Sequence, residues 1–302
     1  MTPHHILALR SGAVGDVIVT FPVLQVIRAR WPKASIDLIA PPATGRLARD
    51  AGLANLLHSI DDADCAELYA PTPLSETWCD YLARFDLVLN FLHDPAHIVA
   101  GHLKTACRGL IINHSPLVQT GHAIDHFLKP LAALGIVLRG NEFPRLPLLR
   151  KTIKPSGIAI HPGSGSPAKN WPLSNFIALG RMLGDHRYGK PVFICGEAES
   201  AITAPLRKEF SSTAVLHGQN LDTMATFLAG CAGYIGNDSG ISHLAAAVGT
   251  PAVVLFGPSS ASVWAPRGPH VRVISATTPT TAALSAIEPR DVLQSLALLL
   301  RA

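Results

Sequence analysis

The segment Leu9-Arg10-Ser11-Gly12-Ala13-Val14-Gly15-Asp16-Val17 sets a carboxylate just beyond an aliphatic run, where a strand should give way to a helix. Gly12 and Gly15 let the backbone turn tightly and expose N–H groups. The spacing is not a dinucleotide fingerprint, because the third glycine of G-x-G-x-x-G is missing and Asp16 would repel a pyrophosphate. A carboxylate at such a turn can take a proton from an attacking hydroxyl, or it can simply cap the helix that follows.

Four further turns carry phosphate and sugar chemistry. His161-Pro162-Gly163-Ser164-Gly165-Ser166-Pro167-Ala168-Lys169 leads from an aliphatic run through small and hydroxylated residues to a lysine, with Trp171-Pro172 opening a helix. Such a loop brings backbone N–H groups close to an anion, and Lys169 adds a point charge; an ordinary loop with a solvated lysine has the same composition. Trp171 reads as a packing residue. Cys195-Gly196-Glu197-Ala198-Glu199 places acids just past a buried strand, where they can accept ribose hydroxyls or merely lie at the surface.

Gly236-Asn237-Asp238-Ser239-Gly240-Ile241-Ser242-His243 passes from strand into helix. The amides at Ser239 and Gly240 and the helix N-terminus form an anion site. Asp238 suits sugar hydroxyls better than a phosphate, and His243, one turn on, can touch either. Leu255-Phe256-Gly257-Pro258-Ser259 ends the next strand in another such loop. Any one of these turns is weak evidence. Together, at the ends of successive strands, they describe a nucleotide-sugar site.

The elements that must position these residues alternate throughout: short Val/Ile/Leu runs, then longer amphipathic stretches, the pattern of βαβ units and parallel sheets. Strands are expected near Ile6–Leu9, Ile36–Ile39, Leu87–Phe91, Gly109–Ile112, Ile158–His161, Val192–Cys195, Val215–Leu216, Tyr234–Gly236 and Ala252–Phe256. Helices are expected over Val23–Arg30, Gly45–Ala51, Ile124–Leu134, Leu173–Leu183, Pro205–Phe210, Thr223–Ala229, Ser242–Val248 and Pro289–Arg301, with Pro22 opening or kinking the first. Pro- and charge-rich Leu138–Pro155 interrupts the cycle as a linker. Two Rossmann-like halves facing across an interdomain cleft follow from this division.

At 302 residues the chain is long enough for two domains, and 48% hydrophobic with 15% charged residues excludes a disordered chain. A formal charge of +4 suits anionic ligands or an acidic lipid surface, but there is no dense basic run to suggest nucleic acid. No apolar stretch reaches the 18 or more residues of a membrane span, and the N-terminus lacks the features of a signal peptide. The five cysteines are scattered without a CxxC pair and read as small buried hydrophobes in a reducing cytosol. His93 and His97, like His122 and His126, have a spacing that can hold a metal on a helix. Asp94-Pro95 interrupts the first pair, neither has an obvious third ligand, and no metal site is expected.

With Gly15-Asp16-Val17, His161-Pro162-Gly163-Ser164 before Lys169 and Trp171-Pro172, Gly236-Asn237-Asp238-Ser239-Gly240 with His243, Leu255-Phe256-Gly257-Pro258 and Ile287-Glu288-Pro289-Arg290-Asp291-Val292, the chain resembles glycosyltransferase family 9, the ADP-heptose:lipopolysaccharide heptosyltransferases. The resemblance runs from Ile6 to the last helix. It implies an α/β GT-B fold: an acceptor-binding Rossmann-like domain over residues 1–145, a donor domain over 146–285, and a helix over 286–302 that returns toward the first domain. It implies an inverting, metal-independent transfer from an ADP-sugar, a co-substrate and not a cofactor. The acceptor would be an anionic saccharide or glycolipid of lipopolysaccharide core or related glycan synthesis. Such an enzyme is cytoplasmic, with peripheral contact at the inner face of the cytoplasmic membrane.

By the same resemblance Asp16 is the general base, and Ser164, Gly165, Ser166 and Lys169 meet the diphosphate, Lys169 stabilising the leaving group. Glu197 binds the ribose, Asp238 the sugar hydroxyls, and Ser239, Gly240 and His243 surround the phosphates. Acceptor contacts fall on Ser11, Gly12, Arg46, Arg49 and His93. A sugar-nucleotide epimerase or hydrolase of the same fold, or a non-catalytic sugar-nucleotide-binding protein, would use much of the same donor set. Product formed without any acceptor would mark the epimerase or hydrolase.

Overall fold

The computed structural model describes residues 2–147, 156–184, 190–211, 214–278 and 280–301; the latter part of the expected linker, 148–155, lies outside them. The chain divides into Met1–Glu142 and Phe143–Ala302, so the first unit ends at Glu142, a little before Arg145.

In the first unit β1 (His5–Leu9), β2 (Ser35–Ala40), β3 (Leu56–Ser59), β4 (Leu87–Asn90) and β5 (Leu110–Asn113) form one parallel sheet in the order β3-β2-β1-β4-β5. Ile6 stands opposite both Ile36 and Leu87, so aliphatic rows continue across the middle strands. Between the strands run α1 (Val14–Ile18), α2 (Phe21–Arg30), α3 (Pro42–Asp50), α4 (Glu76–Leu82), α5 (Ile98–Ala106) and α6 (Ala123–Leu128), with 3-10 turns at Ala63–Tyr69 and Lys129–Leu134. Pro22 sits in the first turn of α2, where its missing N–H is harmless, and so opens that helix. The helix expected over Ile124–Leu134 is instead α6 followed by the second 3-10 turn, because Pro130 cannot donate to a helical ladder. Leu7, Leu9, Val88, Trp78, Leu82 and Leu103 pack in one core. Each such side chain contributes on the order of 1.5–3 kcal/mol by leaving water.

The second unit repeats the plan. β6 (Ile158–His161), β7 (Pro191–Cys195), β8 (Val215–His217), β9 (Gly233–Asn237), β10 (Ala252–Phe256) and β11 (Val271–Ser275) pair in parallel in the order β11-β10-β9-β6-β7-β8. The helices are α7 (Leu173–Gly184), α8 (Ser200–Phe210), α9 (Leu221–Ala229), α10 (Gly240–Ala247), α11 (Ala261–Trp264), α12 (Thr281–Leu284) and α13 (Pro289–Leu299). The helix expected to return toward the first domain, α13, lies on α7, and its Val292, Leu293 and Leu296 belong to the core of the second unit. Trp171 is fully buried there: its Nε1 donates to the Ile287 carbonyl at 3.0 Å and its ring meets Phe176 edge-on.

Both strand orders reverse direction once, between β1 and β4 in the first sheet and between β6 and β9 in the second. Loops leaving the carboxyl ends of such a pair turn to opposite faces and open a crevice, the usual ligand position in doubly wound sheets. No helix among the described residues is long and apolar enough to cross a membrane.

Candidate functional site

The loop after β1 lies at the first switch point. Gly12 has φ of +120°, a conformation open to glycine, and an added Cβ would stand 2.9 Å from the Asp16 Cβ. Asp16 occupies the first turn of α1, and its Oδ2 accepts from the Ala13 N–H at 3.0 Å. The capping role is therefore present, but only one carboxylate oxygen is used in it. Arg10, on the other side of the turn, is buried and donates from Nε and Nη2 to the Asp16 carbonyl at 3.1 and 3.0 Å and from Nη1 to the Phe91 carbonyl at 3.4 Å. The end of β1 and the end of β4 are thereby tied together beneath the carboxylate. Ser11 bonds to the Tyr69 hydroxyl, which also lies near Asp94.

The other acceptor candidates scatter. Arg46 is half-buried in the middle of α3. Arg49 lies in its last turn, away from the strand end, and pairs with Asp50 at 3.0 Å. His93 is exposed in the loop after β4 and lines a cavity there. His93 and His97 precede α5 instead of sharing one of its faces, because Asp94 caps that helix, accepting from Ile98 at 2.9 Å and Ala100 at 2.8 Å. His122 caps α6 through Nδ1, and His126 bonds through Nε2 to the Ser115 carbonyl at 2.7 Å. Among the described residues no three His, Cys, Asp or Glu side chains are grouped to hold a metal ion.

At the second switch point three loops converge. The Asp238 Oδ2, after β9, accepts from Lys169 Nζ at 2.7 Å, after β6, and from Ser259 Oγ at 2.6 Å, after β10. The Asp238 carboxylate is 9% exposed and the lysine side chain 35%, so the cation shows an open face while the acid stays covered. Asn237 locks the two central loops: its Nδ2 donates to the carbonyls of Pro162 (2.8 Å) and Gly163 (3.3 Å), and its Oδ1 accepts from Trp171 N–H at 3.0 Å. Ser239 caps α10 by accepting from Ser242 N–H. The amides of Gly240 and of the next residue, Ile241, then have no carbonyl within the helix to bond. His243 is buried one turn on.

Within the loop after β6, Ser164 Oγ donates to the Ser166 carbonyl at 2.6 Å and accepts from the Ser166 N–H at 3.2 Å, so Ser164 shapes the loop from inside. An added Cβ at Gly165 would meet nothing within 4 Å, leaving bare backbone there. Glu197 is exposed, whereas Glu199 is buried and its Oε2 accepts from Gly196 N–H at 2.7 Å. His161 is buried with Nδ1 against the Ile194 carbonyl at 3.0 Å, and burial lowers its pKa.

The structure thus brings Lys169, Asp238, Ser239 and Gly240 to one switch point, and Asp16, Ser11 and Gly12 to the other. Three residues that hold these loops escaped the reading of the sequence: Arg10, Asn237 and Tyr69. Asn237 left a signal, an amide at the end of an apolar run beside an acid; Arg10 and Tyr69 left none.

Two parallel Rossmann-like sheets, each with its polar loops at the strand-order reversal, are the architecture of GT-B glycosyltransferases. Residues 143–291 match the family model of glycosyltransferase family 9 (heptosyltransferase). The chain is 32% identical to lipooligosaccharide heptosyltransferase 2 of Haemophilus influenzae, over 89% of this chain and 88% of that one. It is 26% identical to lipopolysaccharide heptosyltransferase 2 of Escherichia coli K12, over 89% and 87%. The solved ADP-heptose lps heptosyltransferase II of E. coli superposes with a TM-score of 0.75 at 22% identity, covering 98% of each chain. The chain belongs to glycosyltransferase family 9, and it is a glycosyltransferase of the heptosyltransferase kind.

Proposed function

We propose that this protein is an inverting, metal-independent transferase that moves heptose, or a closely related sugar, from an ADP-sugar to a hydroxyl of a saccharide acceptor. The setting is lipopolysaccharide core or related glycan synthesis, at the inner face of the cytoplasmic membrane. The first unit takes the acceptor and the second the donor. What carries the reading is the convergence of Lys169, Asp238 and Ser259 beside the first turn of α10, in a chain 32% identical to a lipooligosaccharide heptosyltransferase.

In the transfer, Asp16 takes the proton of the acceptor hydroxyl as its oxygen forms a bond to the anomeric carbon. The bond from that carbon to the diphosphate breaks, and ADP leaves from the opposite face; a single displacement of this kind inverts the centre. Charge developing on the diphosphate is met by Lys169 and by the amides of Ser239 and Gly240, a fixed cation and a helix N-terminus that do the electrostatic work. Ser164, Gly165 and Ser166 give the loop its shape and free backbone, and His243 stands behind the phosphates. Glu197 accepts the ribose hydroxyls. Asp238, already held by Lys169 and Ser259, orients the transferred sugar through its remaining oxygen. Because Lys169 also pairs with Asp238, it shares its charge between acid and phosphate.

A thermal-shift panel of nucleotides tests the donor class. ADP at about a hundredfold its Kd should add about 2.7 kcal/mol to the folded state. UDP, GDP and CDP should shift the melting temperature far less. Equal stabilisation by UDP or GDP would overturn the assignment.

A further inference from the structure

A cavity of about 330 Å3 opens at the carboxyl edge of β4 and β5, lined by the loops that follow the two strands. Neither the proposed base nor the donor residues account for it. Its polar wall includes Asn90, Asp94, Asn113 and His114, and its apolar wall includes Leu92 and Pro116. The two amides are fixed: Asn90 Nδ2 donates to Asn113 Oδ1 at 2.8 Å, and Asn90 Oδ1 accepts from Leu92 N–H at 3.1 Å. The amide hydrogens of Asn113 remain for a ligand.

His114 Nε2 is buried and, among the described residues, has no hydrogen-bond partner. Covered by its neighbours, that nitrogen does not itself reach a ligand; the ring serves as part of the wall and packs against the His126 ring, centroids 4.3 Å apart. Burial lowers the pKa of His114, the charges of His126 and Lys129 act in the same direction and a hydrogen bond with the His126 backbone opposes them; the net shift is downward, so the ring is neutral near pH 7.

Charge decides what kind of ligand fits. No lysine or arginine is among the described residues lining the cavity, and its one carboxylate is Asp94, fixed by the amides of Ile98 and Ala100. A phosphate or carboxylate would face that acid with no lysine or arginine to answer it, only the imidazoles of His93, His97 and His114. An uncharged ring meets fixed amides, imidazoles and apolar surface, the mixture that small-ligand sites use for orientation and burial. The cavity is linked to the loop that carries the base: Asp94 lies near Tyr69, which bonds Ser11, and Phe91, next to Leu92 of the wall, is tied through Arg10 to the Asp16 carbonyl.

We propose that this cavity is the subsite for an uncharged sugar ring of the acceptor, and that the acceptor's anionic groups bind elsewhere; the proposal rests on the transferase reading. Saturation-transfer NMR on the full chain tests it with methyl α-mannopyranoside, mannose 6-phosphate and glucuronic acid as probes, beside the melting shift produced by ADP. Methyl mannoside should receive saturation strongly and the two anions at least about fivefold less. Asn113→Ala should weaken the methyl mannoside about fivefold, the worth of one hydrogen bond. Ala100→Phe, which fills the cavity, should abolish its signal. The ADP shift should survive both substitutions. Because Asn113 is exposed at the end of an edge strand, its variant folds even if the helix-borne one does not. No methyl mannoside signal, stronger anion signals, or a signal that persists in Asn113→Ala overturns the subsite. Failure of ADP to stabilise the unmodified chain is a separate result and counts against the transferase reading itself.

Discussion

Arg10 shows how much of the site rests on a residue with no part in the reaction. Its guanidinium is buried, bonds three times to the carbonyls of Asp16 and Phe91, and lies 4.7 Å from the centre of the Phe127 ring. Burial brings its pKa down to about 10, against the attraction of Asp16. In the sequence this arginine looks like ordinary charge at the end of a strand; only the neighbouring β4 carbonyl makes it a brace. Arg10→Met keeps the length and loses every donor, leaving the buried bond to the Phe91 carbonyl and the part-buried bonds to the Asp16 carbonyl unmade. It should cost about 2 kcal/mol in urea unfolding and slow transfer by loosening Asp16; an unchanged urea midpoint would contradict the bracing role. The turn that carries Asp16 was legible because two glycines frame it. The pairing of Lys169 with Asp238 was not, because residues 69 apart in sequence meet only when β6 and β9 lie side by side.

Among the elements, the strands at the middle of each sheet were readable and two at the edges were not. β1, β4, β6 and β10 are buried on both faces and advertise themselves as aliphatic runs, and β2 and β9, buried likewise, keep enough of the pattern despite Asp37 in one and two glycines in the other. β3 and β11, at the edges, are half-exposed, with sequences LLHS and VRVIS, and periodicity has little to grip there. Short α1 and α4 escaped for a similar reason: too few turns to show a face. The loop after β6 depends on contact between elements. A Cβ on Gly163 would stand 2.0 Å from Glu199 Oε1, while the other oxygen of Glu199 holds the Gly196 N–H. Gly163→Ala must push the loop after β6 or the buried acid aside, costing about 1–3 kcal/mol. Calorimetric titration should show ADP affinity reduced by about tenfold or more. Wild-type affinity with wild-type stability would show that the loop tolerates the methyl group and is not braced by Glu199.

For the whole molecule, division of labour between the two units is the central claim: a base in the first, a leaving-group site in the second. The two-unit plan was legible from the renewed strand–helix cycle after the Pro-rich stretch, and the donor loops from their position at strand ends. The acceptor surface was not, because Arg46, Arg49 and His93 belong to different elements and composition does not say which face they share. The most direct test measures ADP release from ADP-heptose, with and without lipopolysaccharide from a strain lacking its heptosyltransferase, for the wild type and Asp16→Asn. The account predicts release that depends on acceptor, a loss of about a hundredfold or more in Asp16→Asn, and an unchanged melting shift with ADP. Turnover retained by Asp16→Asn, or release at full rate without acceptor, would contradict it.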